Sequence, residues 1–226
     1  MNIRSVVKVL GFLMLVTAGC LVLPALVGLL YGEGDWIWFL VSAAVGAVVG
    51  GGTLVILRDA PDLRIREGFA VVAFGWLCVG LLGALPCWFS GQIPSFTDAA
   101  FESISGFTTT GASILTDIES RSHGTLFWRA LSHWLGGMGI VLLAVAILPL
   151  LSVGGMQLFR AEVPGPVAER LTPRIRETAK RLWGVYLLLT VLEILALLLA
   201  GMGLFDAVCH AFATMATGGF SNHDAS

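Results

Sequence analysis

Apolar residues gather into five long runs, at about 6–31, 36–57, 68–90, 125–152 and 182–203. A helix needs roughly 20 residues to cross a hydrocarbon core about 30 Å thick, so the pattern predicts five membrane-spanning helices. The gaps between the runs differ in kind. The stretch 32-GEGD-35 reads as a tight hairpin, 58-RDAPDLRIRE-67 and 156–181 as charged connections, and 91–124 as a longer connection of mixed polarity. The last segment, 204–226, is mixed as well.

Composition agrees with the pattern. Of 226 residues, 57% are hydrophobic and only 12% charged, against about 25% charged in a soluble domain. Lipid is therefore the partner that composition implies. Net charge is −2 with no block of like charge, so nothing points to nucleic acid. The first run extends past the roughly 7–15 residues of a secretory leader's core, and is expected to be a retained helix. Cys20, Cys78, Cys87 and Cys209 form no CxxC pair and sit in or beside apolar runs, as small buried hydrophobes do. The four histidines show no metal-ligand spacing.

Charge also orients the chain. With a cytoplasmic N-terminus, eleven of the 13 basic residues fall inside and only Arg121 and Arg129 outside, as the positive-inside rule requires. Trp36, Trp38, Trp88 and Trp128 would then form an outer aromatic belt, with Trp183 and Tyr186 at the inner interface. Gly46 and Gly50 form a GxxxG motif suited to close helix packing.

An internal repeat carries the most information. The stretch 64-RIRE-67 recurs as 174-RIRE-177, each time ahead of a span. After those spans come 96-FTDAAFESISGFTTTGAS-113 and 204-LFDAVCHAFATMATGGFS-221. At an offset of 108, Asp98 meets Asp206, Glu102 meets His210, Thr109 meets Thr217, Gly111 meets Gly219 and Ser113 meets Ser221. The organisation expected is two leading helices (1–60), a first span–short helix–span repeat (61–155) and a second repeat without its closing span (156–226).

The short helices, about eleven residues, are too short to cross a bilayer. Non-helical backbone at membrane depth is tolerated only against protein or a water-filled path, so these are expected to be re-entrant helices whose polar turns face a pore. Such turns suit a cation shedding its water: carbonyl oxygens can replace a potassium ion's hydration shell when several turns converge. Glycine at 111 and 219 permits the dihedrals that aim carbonyls at one axis. Each helix would direct its partly negative C-terminal end to the path, with Asp98 and Asp206 complementing the opposite pole.

The stretches 98-DAAFESISGFTTTGAS-113, 127-FWRALSHWLGGMGIVLL-143 and 205-FDAVCHAFATMATGGFS-221 resemble the Trk/Ktr/HKT superfamily of potassium transporters, most of all its bacterial TrkH-type membrane subunits. The resemblance implies an all-α polytopic protein of the bacterial inner membrane, with re-entrant filter loops and four span–pore helix–span repeats in a whole subunit. It carries filter positions onto Thr108, Thr109, Thr110 and Gly111, and onto Ala216, Thr217, Gly218 and Gly219. It further implies potassium as the transported ion, no cofactor in this chain, no enzymatic activity, a homodimer and a cytosolic TrkA-type nucleotide-binding ring. With one repeat and most of another present, the chain corresponds to the N-terminal half of such a subunit, the C-terminal half being missing, and is not expected to close a pore alone.

Other readings compete. A non-transporting fragment or assembly subunit needing a second polypeptide is one. An intramembrane serine protease using Ser113 with His133 or His210 is another, though the glycine that a nucleophile turn would place after Ser113 is absent. Asp98, Glu102, Asp206 and His210 are read as pore-helix supports. His133 is expected at the outer end of its span, and Arg129 in a surface pair with Asp117 or Glu119. Glu193, the one acid deep in a span, is an unassigned candidate. The orientation is directly testable: a reporter active only outside the cytoplasm should work when fused within 91–124 and stay silent within 58–67 or 156–181.

Overall fold

The computed structural model describes residues 2–61, 65–151 and 171–225, with side chains described except at 65–66, 141–151 and 171–176. Arg64, Arg160, Arg170 and most of the connection 156–181 lie outside that range, as do the side chains of Pro149, Arg66, Arg174 and Arg176. Among the described residues all regular structure is α-helical: α1 (Ile3–Cys20), α2 (Val22–Leu30), α3 (Trp36–Ile56), α4 (Ile65–Phe89), α5 (Phe96–Phe107), α6 (His123–Leu151), α7 (Leu171–Leu199) and α8 (Leu204–Met215). Four stretches are long and apolar enough to cross a membrane: Ile3–Leu30, Trp36–Ile56, Glu67–Phe89 and Glu177–Leu199. The fifth expected span falls in α6.

Two boundaries depart from the apolar pattern. The first run is divided at Leu21 into α1 and α2, where Pro24 withholds the N–H that would bond one turn back. Helix α7 begins at Leu171, well inside the stretch expected to be a connection. Hydropathy marks only the part of a helix that lipid requires, whereas Arg, Lys and Glu are good helix formers in water. Arg181 and Glu177 pair at 3.3 Å along that extension.

Helix α1 packs on α3 and α4, α2 on α3 and α6, and α5 between α4 and α6. Leu21, Phe39, Leu82, Phe107 and Trp128 form the heart of the buried cluster. Close approach is made by glycine: a Cβ on Gly50 would stand 2.5 Å from the Gly11 carbonyl, and one on Gly46 2.7 Å from Leu82. Large apolar side chains such as Val48, Val55, Leu188 and Leu192 point outward, where a bilayer would cover them. The aromatic belt is smaller than expected. Trp128 is buried with its indole N–H donated to the Gly83 carbonyl at 2.8 Å, and Tyr186 is buried with its hydroxyl donated to the Trp134 carbonyl.

The 32–35 hairpin caps α6. Glu33 accepts the backbone N–H groups of His123 at 2.9 Å and Gly124 at 3.3 Å, satisfying orphan donors at a helix start. The Tyr31 ring stacks on His123 with centroids 3.8 Å apart, and Ser122 donates to Asp35 while accepting from Thr125 N–H. Asp35 Oδ1 is buried and takes no hydrogen bond. Burial, and to a lesser degree the charge of Glu33, push the Asp35 carboxyl above its usual range.

Two outcomes follow. Gly50→Val should lower stability by about 1–3 kcal/mol through overpacking, whereas Gly51→Ala, which meets open space, should leave it unchanged or raise it by up to about 1 kcal/mol; thermal unfolding of the detergent-solubilised protein distinguishes them. The raised Asp35 pKa means the folded state binds more protons than the unfolded one just above the ordinary aspartate range of about 4. Its contribution to stability is therefore lost as pH rises through that window. Asp35→Asn should abolish this part of the fall, read as a widening difference in melting temperature between variant and parent as pH increases.

Candidate functional site

The two short helices begin alike and end alike. Ser95 caps α5, its side chain accepting from Asp98 N–H at 3.4 Å, and Asp98 lies in the first turn where an acid complements the dipole. Gly203 precedes α8, with Asp206 in the matching first-turn place. At the other end each chain reverses through the same pair of backbone bonds. In the first copy, Thr110 N–H donates to the Ser105 carbonyl at 2.9 Å and Thr109 N–H to Gly106 at 3.0 Å. In the second, Gly218 N–H donates to Ala213 at 2.9 Å and Thr217 N–H to Thr214 at 2.8 Å. This is the Schellman pattern, which requires a left-handed residue just past the helix end.

That left-handed residue is Thr109 in one copy and Thr217 in the other, both at φ +54°. Elsewhere the chain fills the same position with glycine: Gly32 after α2 and Gly201 after α7 close equivalent bond pairs at φ +71° and +93°. A β-branched residue there is a true outlier, costing about 1–3 kcal/mol and tolerated only where the surroundings over-determine it. Two residues on, Gly111 and Gly219 are again at positive φ, +73° and +97°. The backbone carbonyls of Thr108 to Gly111 take no hydrogen bond from any described residue. They are free to meet a ligand.

The returning strand of the first copy is fastened to α5. Ser105 Oγ donates to the Ala112 carbonyl at 2.6 Å, while Ser113 Oγ and Ile114 N–H each donate to Glu102 at 2.9 Å. The second copy uses other groups, because Ala213 replaces Ser105 and His210 replaces Glu102. His210 Nδ1 donates to the Asp206 carbonyl of its own helix at 2.9 Å. Asn222 reaches Asp206 Oδ1 at 3.0 Å instead, and His223 lies between Glu119 and Asp206.

Helix α6 supports both turns. His133, Gly136 and Gly137 share one face by their helical spacing, and the structure sets that face against the turns. A Cβ on Gly136 would overlap the Phe107 carbonyl, and one on Gly137 would stand 2.9 Å from Ala216 Cα. The His133 ring fills the space in front of Gly218 and lies 4.1 Å from Phe220 between centroids. A Cβ on Gly111 would overlap the Gly218 carbonyl. The turns themselves are thus in contact at Gly111, and Gly136 and Gly137 let α6 approach both.

The structure brings Thr108–Gly111 and Ala216–Gly219 together, with Glu102 beside the first turn. Asp98, Asp206 and His210 stand back from both turns along their helices, and Glu193 is half-buried on α7. One expectation is corrected. Arg129 makes no pair with Asp117 or Glu119; it is 4% exposed and bonds Glu102 at 2.8 Å. His133, in the first half of α6, is fully buried beside the second turn. The protease arrangement finds no geometry, because Ser113 Oγ is held by Glu102 and Arg129 and His133 packs on Phe220. Among the described residues no group of three potential ligands could hold a transition metal. The repeat did not mark Arg129 or His133 as neighbours of the turns, since neither lies in the repeated segment; their spacing of four ahead of GGMG was the available signal.

Comparison with known proteins bears on the chain as a whole. The TrkH family of cation transport proteins matches residues 41–226. The chain is 49% identical to the Trk system potassium uptake protein TrkH of Halomonas elongata, and 48% identical to that of Escherichia coli K12. Each alignment covers 100% of this chain, with 48% and 47% of the respective relatives. The crystal structure of the potassium transporter TrkH from Vibrio parahaemolyticus superposes with a TM-score of 0.83 at 40% identity, over 100% of this chain and 46% of that one. The chain therefore spans about half the length of the relatives it matches. Four apolar helices, paired turns and these alignments agree: this multi-pass membrane protein belongs to the TrkH family of cation transport proteins.

Proposed function

We propose that this chain lines part of a potassium path, with Thr108–Gly111 and Ala216–Gly219 as two walls of an ion filter. The observation that carries the reading is the identity of the two turns: the same reversal, the same strained threonine and the same positive-φ glycine, 108 residues apart and in contact. Unbonded carbonyls at the first turn are what a dehydrating cation requires. The C-terminal ends of α5 and α8 add partial negative charge there.

Two walls leave a ring open, and the chain spans about half the length of its relatives, so in this reading the remaining turns belong to the other half of a whole subunit. The working unit in this reading is a bacterial inner-membrane subunit with a cytoplasmic N-terminus, paired with a second copy and regulated by a cytosolic TrkA-type nucleotide-binding protein. Ion movement needs no covalent chemistry in the chain. Asp98 and Asp206 stabilise the starts of the short helices, and Glu102 holds the first returning strand.

A full-length chimaera tests this, made by replacing the matching segment of the Halomonas elongata relative with residues 1–226. It should restore growth at low potassium to cells lacking potassium uptake. Gly111→Ser should reduce potassium-over-sodium discrimination about tenfold, the effect of losing about 1.4 kcal/mol of differential binding. Unchanged discrimination would remove Gly111 from the filter.

A further inference from the structure

Arg129 is the one described cation that touches both returning strands. Its Nε bonds Glu102 Oε1 at 2.8 Å, one terminal nitrogen bonds Ser113 Oγ at 3.1 Å, and the other bonds the Ser221 carbonyl at 3.2 Å. Its Cζ lies 4.3 Å from the centroid of the Phe220 ring. Ser113 and Ser221 are equivalent positions at the offset of 108. Each of the three guanidinium nitrogens is therefore committed to a different partner, and the partners span the junction between the two repeats.

We propose that Arg129 is a positioning residue that sets the separation of the two turns, and hence the size of ion the path prefers. The inference rests on the filter reading above. Three physical points support it. A guanidinium is planar and presents its donors in a fixed fork, so three bonds in different directions define both the distance and the angle between the strands. The turns are in contact at Gly111 and Gly218, so a displacement of one strand is transmitted to the carbonyls. Burying an ion pair gains little stability over a well-packed apolar pair, and stability alone is a poor reason to place Arg129 and Glu102, each 4% exposed, behind a cation path. Glu102 has a second part in this arrangement. Its charge balances Arg129, so the clamp does not repel a cation at the turns.

Shape and charge can be separated. In the chimaera, Arg129→Lys keeps the charge and loses the fork, while Arg129→Gln loses both. Potassium-over-sodium permeability, measured in vesicles holding monodisperse protein, should fall about tenfold in both variants while sodium still passes. A parental ratio in Arg129→Lys overturns the proposal, since charge alone would then suffice. Gly111→Ser is the control for the filter. If it alters the ratio and Arg129→Lys does not, the filter stands and the positioning role falls. If neither alters the ratio, both fail; if only Arg129→Lys does, the guanidinium's role stands and Gly111 is excluded. Should the Arg129 variants fail to insert, Ser113→Ala removes one arm of the clamp and keeps both charges. It should shift the ratio in the same direction, and an unshifted ratio overturns the proposal.

Discussion

A peptide group away from water must find its partner inside the protein or leave its hydrogen bond unmade, and that constraint organises the whole region around the two turns. A helix that stops inside the protein leaves carbonyls unsatisfied at its end. Here the Schellman reversal returns two of them to backbone N–H groups, and Ser105 and Glu102 tie down the strand that leaves. What remains unbonded is a short, ordered row of carbonyls at Thr108–Gly111.

The strain at Thr109 and Thr217 belongs to the same account. Glycine would sit at φ +54° without steric cost, and the chain uses glycine for that purpose at Gly32 and Gly201. A threonine held there needs neighbours that leave it no other conformation. Helix α6 supplies them, with Gly136 against Phe107, Gly137 against Ala216 and His133 against Gly218. One helix thus serves two turns. Its Ser132 and Arg129 continue the same service outward, Ser132 packing under Gly106 and Arg129 joining Ser113 to Ser221.

Much of this was legible in the residues. The five apolar runs named the helices because the bilayer sets one length and one chemistry for every span. The repeat at 108 paired Thr109 with Thr217 and Gly111 with Gly219 because the same backbone reversal needs similar residues twice. What was not legible has equally physical causes. The start of α7 at Leu171 was hidden because charged residues that form helices well look like a connection on a hydropathy scale. Trp128 and Tyr186 resembled belt residues because an aromatic ring with one polar atom suits either an interface or a buried site with a waiting carbonyl.

The amino-acid sequence by itself determined the class of molecule, its apolar helices and the paired polar turns, since each depends on local composition and period. Only the tertiary structure decided that Arg129 faces inward to Glu102 and not outward to Asp117 or Glu119, and that Gly111 rests against Gly218. Those contacts join residues from 27 to 107 positions apart in the chain. No local pattern encodes them, because a buried guanidinium takes its partners from whichever elements packing brings within reach of its fork.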